Sequence, residues 1–204
     1  MMHRKTRWVT WGPIGFAVVL AACGSSKTTT PATGAVTTVA GAVNPNGKEV
    51  LPPGDIPDNQ VFVTYSPASG GYSLTYPQGW AQRQGAGTVT FSQNFNSIEV
   101  ATAKTPSVPT TASVRAGDAA KLRSLKGFNL VKVDSVVRSS GSAVRIVYET
   151  TSPTDQVTGK TVTLDVERYL FWHKGTLVTI TLSSPKGSDN VDPWKTVTDS
   201  LAWK

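Results

Sequence analysis

Apolar residues recur at every second position through most of the chain beyond residue 88, and this alternation constrains the fold more than any other feature. Val89 and Phe91 alternate with Thr88, Thr90 and Ser92, and Ile98 and Val100 with Ser97, Glu99 and Ala101. The pattern returns in Val131, Val133 and Val137, in Val144, Ile146 and Tyr148, in Val162, Leu164 and Val166, and in Val178, Ile180 and Leu182. Successive side chains of a strand point to opposite faces, so each of these segments is a strand with one face on a core. Lys174-Gly175 lies between two of them and reads as a tight hairpin turn, with Gly175 supplying positive φ. Short joins of this kind make antiparallel pairs.

Two segments break the alternation. Thr111 to Lys126 has helical composition, with Ala119, Leu122 and Leu125 apolar among Arg115, Asp118, Lys121 and Arg123. Thr110 or Thr111 caps its start, and Gly127 suits its C-terminal left-handed position. Asp192 to Trp203 is the second, with Asp192 as N-cap, Pro193 at the first helical position, and Trp194, Val197 and Leu201 on one face. The fold class is therefore α+β: a central antiparallel sheet of about six or seven strands with helices packed on it.

The N-terminal part of the chain is not built this way. His3, Arg4, Lys5 and Arg7 precede an apolar run from Ile14 to Ala22, which ends in Leu20-Ala21-Ala22-Cys23. Charge, a short apolar core and small residues make a secretory signal. The run falls short of the roughly 20 residues of a membrane span. Leu-Ala-Ala-Cys resembles a lipobox, which implies cleavage of residues 1–22 and acylation of Cys23. Two or more acyl chains hold a protein stably on a bilayer. Cys23 is also the only cysteine. No internal disulfide is possible, so a packed core must supply the stability.

Residues 23–54 are rich in Ser, Thr, Ala, Gly, Val and Pro and lack aromatics. Such a segment buries too little to offset the entropy of ordering, so it reads as a flexible tether, spanning on the order of 30 Å root-mean-square. Its threonines permit O-glycosylation. The globular domain is expected at 55–204. Removing residues 1–22 also removes Arg4, Lys5 and Arg7, which leaves 17 basic against 13 acidic residues, or +4 rather than +7. A mildly basic exported domain suits anionic headgroups or cell-wall phosphates. No basic run suggests nucleic acid.

Gly71-Tyr72-Ser73-Leu74-Thr75-Tyr76-Pro77-Gln78-Gly79-Trp80 resembles the entry strand of PsbP-like proteins, an aromatic strand followed by Pro-x-Gly-Trp. Asp192-Pro193-Trp194 through Leu201-Ala202-Trp203 is similar to their C-terminal helix. The resemblance covers roughly residues 55 to 204. It implies an α/β/α sandwich on a central antiparallel sheet and, as in bacterial lipoproteins with such domains, a non-catalytic role. The same turn has a packing explanation as well: Pro77 ends a strand, Gly79 reverses the chain, and Trp80 seals one end of the core.

Catalytic patterns are weak. His173 is the one histidine left after cleavage, which argues against a zinc site of His and Cys; beside the Lys174-Gly175 turn it reads as structural. No Gly-x-Ser-x-Gly elbow occurs. Ser183-Ser184-Pro185-Lys186 and Ser188-Asp189-Asn190 match two β-lactamase motifs, but they sit in what reads as one loop, without Lys-Thr-Gly. Thr158-Gly159-Lys160-Thr161 has Thr154 where a P-loop needs glycine, and it leads into a strand. Asp165 and Glu167 share a strand face and read as a solvated side paired with Arg145 or Arg168. No cofactor is expected.

The expected protein is a monomeric, non-catalytic lipoprotein on the outer face of the bacterial cytoplasmic membrane. It would be held there by acyl chains on Cys23 and act as an accessory to an unidentified envelope membrane protein. A binder of a lipid or other amphiphile, held between sheet and helix, is the first alternative. A hydrolase with an unfamiliar Ser/His173 site is the second.

Overall fold

The structure is a computed structural model that describes residues 54–204. The signal segment 1–22, Cys23 and all of the tether except Gly54 lie outside the described residues. Seven antiparallel strands form the main sheet, in the order β3-β4-β5-β9-β8-β7-β6. They are β3 (Ala81–Gly85), β4 (Thr88–Gln93), β5 (Asn96–Lys104), β6 (Asn129–Arg138), β7 (Gly141–Thr151), β8 (Thr163–His173) and β9 (Thr176–Pro185). The expected strand count and pairing mode are both found. Lys174 and Gly175 make the β8–β9 turn with φ of 44° and 79°. Positive φ at both central residues fits the strand twist of a two-residue hairpin.

Strand β2 (Tyr72–Pro77), however, does not join this sheet. It pairs with β1 (Phe62–Tyr65) on one side and β10 (Ala202–Trp203) on the other, as a separate three-stranded sheet. The alternation of Tyr72, Leu74 and Tyr76 shows that β2 is a strand but not which partners it takes.

The main sheet is covered on both faces. One face carries Val89, Phe91, Ile98, Val100, Tyr169, Phe171, Val178, Ile180 and Leu182, packed against the small sheet and the last helix through Tyr72, Leu74, Trp194, Val197 and Leu201. The other carries Val144, Ile146, Tyr148, Val166 and Leu170 under Val114 and Ala119. Phe91, Ile98, Ile146, Val178, Ile180, Leu182 and Val197 are fully buried. Val133 is buried as its parity requires, but Val131 sits in a bulge of β6 and Val137 runs past the helical cover; both are exposed.

The helices are shorter than the sequence pattern suggests. Thr110 caps α1 (Thr111–Ala116) in a reciprocal capping box with Ser113. Gly117 then breaks the helix, and α2 (Asp118–Leu122) ends before Leu125, which is exposed. Gly costs about 1 kcal/mol in a helix interior, and here it marks a bend. The last helix, α3, spans Val191–Asp199 with Asn190, not Asp192, before it. Pro193 therefore stands third rather than first, where its missing N–H is still unneeded. Ala202 and Trp203 leave the helix for β10.

Trp80 and Trp194 meet edge to face, with ring centroids 6.3 Å apart, at 5% and 7% exposure. The Trp80 Nε1 has no hydrogen-bond partner among the described residues, so packing alone holds this ring. Trp80→Ala and Trp194→Ala are each expected to cost about 3–5 kcal/mol in denaturant melts. His173→Ala should cost about 1 kcal/mol, the worth of one ring contact. A Trp variant that melts like the parent would remove that ring from the core.

Candidate functional site

The antiparallel topology gives the domain two ends of different character. At one end the chain enters, and hydrogen bonds close it. Asn190 is buried; its side-chain oxygen accepts from Ile56 N at 2.8 Å, and its amide donates to Gly54 O at 2.9 Å. Asn96 Nδ2 donates to the same carbonyl at 2.9 Å, and Asp189 N donates to Asp55 Oδ1 at 2.9 Å. A Cβ on Gly54 would lie 2.4 Å from Ser188 Oγ, and φ there is +99°, so only glycine fits. Trp80, Trp194 and Ile56 seal the core beneath.

At this closed end lie the residues that resembled catalytic motifs. Ser183, Ser184 and Pro185 are the last residues of β9, not loop residues as their Pro and Gly neighbours suggested. Ser183 Oγ pairs with Ser97 Oγ at 2.7 Å. Asn190, last of Ser-Asp-Asn, holds the incoming chain. Thr158-Gly159-Lys160-Thr161 lies in the β7–β8 loop, where Asp155 Oδ1 accepts from Val157 N, Thr158 N and Thr158 Oγ1. His173 is at the other tip of the β8–β9 hairpin. Ser183 lies seven strand positions beyond Thr176, the cross-strand partner of His173, a distance of about 23 Å. The structure does not bring His173 together with these serines.

Asp165 and Glu167 do not act as a pair either. Asp165 accepts from Gly187 N at 3.2 Å. Glu167 joins a row of charges across β6, β7 and β8. Arg145 donates two bonds to Asp134, from Nε at 3.0 Å and Nη2 at 2.8 Å, and one to Glu167 at 3.5 Å. The pairing expected of Arg145 is found, whereas Arg168 turns to the opposite face and donates to Thr181 Oγ1 at 2.8 Å. Tyr169 OH donates to Glu167, and Arg138 donates to Tyr169 OH at 3.0 Å and to Thr198 Oγ1 at 2.9 Å. The guanidiniums of Arg138 and Arg145 lie 5.3 and 5.9 Å from the Tyr169 ring centroid. The hydrogen bond from Arg145 holds the Asp134 carboxyl below its usual range, and burial, with Glu167 beside it, pushes the Tyr169 phenol up. Every charge in this row has a partner, so the row locks the β6 edge to α3.

The other end is open. It is formed by the loop 66–71, the β3–β4 turn, the end of β5, the β6–β7 turn, the β8–β9 turn and the residues after β10. Two hollows lie there. One, of about 300 Å³, has Tyr65, Tyr72, Val89 and Val100 around it under a lip of Pro67, Ser69, Gly85 and Gly87. The other, of about 380 Å³, is lined by Gly71, Lys104, His173, Lys174, Thr176, Trp203 and Lys204. They adjoin along β5, where Thr102 and Lys104 share a face. His173 stacks on Trp203 at 5.1 Å and 22° as one wall. Trp172 Nε1 fixes the β5 end by donating to Thr105 O at 3.0 Å.

None of the segments 66–71, 85–88, 102–107, 138–142, 172–177 and 202–204 contains Asp or Glu, yet they carry Lys104, Arg138, Lys174 and Lys204. Reading the sequence for motifs missed these lysines, because they stand far apart in the chain and match no motif. The signal is a lack of carboxylates in alternate loops, visible only once the meander says which loops share an end.

No protein-family model matches the sequence, and no curated protein does. Solved structures do match. The solution structure of cyanobacterial PsbP (CyanoP) from Synechocystis sp. PCC 6803 superimposes with a TM-score of 0.50 at 18% identity, over 74% of this chain and 98% of that one. The domain has the PsbP-like fold. LpqN of Mycobacterium tuberculosis, involved in cell envelope biogenesis, matches at 0.45 and 14% identity, over 72% of this chain and 92% of its own. The Saccharomyces cerevisiae Ran-binding protein Mog1p matches at 0.46 and 12%, over 71% and 96%. At these identities the likeness is one of fold.

The Asp134–Arg145 pair contributes to the stability of the PsbP-like domain at neutral pH. The folded Asp134 pKa is depressed, so its contribution is complete above the unfolded value of about 3.9 and is lost as pH falls through the folded value. Asp134→Asn should therefore lower the denaturant midpoint at pH 7, with the difference from the parent shrinking below about pH 4. A pH-independent difference would show that the ion pair is not its source.

Proposed function

We propose that this chain is a lipid-anchored, extracytoplasmic, non-catalytic protein that serves as an accessory or interaction subunit of an envelope membrane complex. The anchor is Cys23, the last residue of Leu-Ala-Ala-Cys, and residues 24–54 form the tether.

The observation that carries this reading is the opposition of the two ends. Gly54, where the tether would join, is stitched into the closed end by Asn96 and Asn190. The hollows and their lysines are at the far end of the strands. A partner at the open end would be at the opposite end of the strands from Gly54, the first described residue. The charged groups best placed for chemistry, Asp134, Glu167, Arg138 and Arg145, satisfy one another and His173 is stacked on Trp203, which supports binding rather than turnover. The amphiphile reading, with the ligand held between sheet and helix, loses its expected site. The space between α3 and the main sheet is filled by Trp80, Trp194 and Val197, so such a ligand would lie at the open end, against Tyr65 and Tyr72.

Cys23→Ala tests the anchor on which the reading rests. In intact cells the variant should lose labelling by a palmitate analogue and leave the membrane fraction, or accumulate as precursor. Retained labelling would place the acyl chain elsewhere and end the lipobox assignment.

A further inference from the structure

We propose that the hollow between the β8–β9 tip and the residues after β10 binds a phosphate-ester anion through Lys104, Lys174 and Lys204. The inference stands apart from the accessory reading, because it needs neither the anchor nor a protein partner.

Three separate segments deliver these lysines to one hollow of about 380 Å³, a size within the range of ligand pockets. Lys104 Nζ donates to Thr176 Oγ1 at 2.8 Å and Lys204 Nζ to Ser66 Oγ at 2.8 Å. Those partners are neutral, and an ammonium group has three donors, so each lysine keeps donors for a ligand. Lys132, Lys186 and Lys195, by contrast, face Asp134, Glu149 and Asp199. Asp199, at the end of α3, is engaged by Lys195, Arg138 and Ser139 N.

Lys174 adds an independent sign. Its φ of 44° is in the left-handed region, where lysine is disfavoured and asparagine accepted, and Asn-Gly is the preferred pair for this turn. A lysine at that position trades stability for a cation at the mouth of the hollow, and strain of this kind collects at ligand sites.

The residue type points to phosphate. A tetrahedral anion with several acceptor oxygens takes point charges from several directions, as lysine supplies; a planar carboxylate is better matched by the arginine fork, and no arginine lines this hollow. The flat wall of His173 and Trp203 offers apolar surface to the ester's organic part.

The test uses the full chain carrying Cys23→Ala. It is titrated calorimetrically with inorganic phosphate and glycerol 3-phosphate, then floated with vesicles of phosphatidylglycerol or phosphatidylcholine. Lys104→Gln and Lys174→Asn should each weaken binding by about tenfold or more, the worth of one charged hydrogen bond. Lys160→Gln, in the β7–β8 loop of the closed end, should change nothing. Lys174→Asn should also raise the denaturant midpoint, so its loss of binding does not come from unfolding. Binding of the soluble phosphates with this lysine dependence identifies a free ester as the ligand. Binding of phosphatidylglycerol vesicles alone, with the same dependence, identifies a lipid headgroup. No binding of either probe, or equal weakening by Lys160→Gln, would overturn the proposal.

Discussion

Trp80 and Trp194 meet where the small sheet, α3 and the main sheet converge, and their edge-to-face contact closes the core at the end where the chain enters. Trp80 follows β2 through the Pro77–Gly79 turn; Trp194 sits one turn into α3. Neither β2 nor α3 is long, and each buries its apolar side in the core it shares with the main sheet. A chain with one cysteine has no internal disulfide to hold such layers together. Burial must do it, and the two indoles are the largest surfaces spent on that task.

Closing one end leaves the other free to differ. At the closed end, buried Asn190 and Asn96 take up Gly54 O, and the serines of β9 bond within the sheet. Loops there are bound to one another and to the first described residues. At the open end the loops stand apart, their carboxylates are missing, and two hollows remain between them. The charged row of Asp134, Arg145, Glu167, Tyr169 and Arg138 is internally neutralised and works as a clasp on the sheet edge. The open-end loops carry Lys104, Lys174 and Lys204 with no carboxylate among them.

Strand content, antiparallel order and the packing role of Trp194, Val197 and Leu201 were legible because burial on one face writes a period into the sequence. Strand β3 wrote none: all five of its residues are exposed, so no alternation marks it. The helix at 111–126 failed at Gly117, where backbone freedom overrode a helical composition on either side. The second sheet was hidden because partner choice depends on contacts about 130 residues apart, between β2 and β10. The lysines of the open end were hidden for the same reason. Each is an ordinary loop residue until the topology sets them side by side.

On the proposed reading, a partner meets this domain at its open end, opposite Gly54. A photoreactive amino acid placed singly at Ser69 or Thr176, and at Thr158 or Asp189, would test it in intact cells. Discrete crosslinked species are expected from Ser69 and Thr176 and none from Thr158 and Asp189. Adducts confined to the Thr158 and Asp189 sites would contradict it.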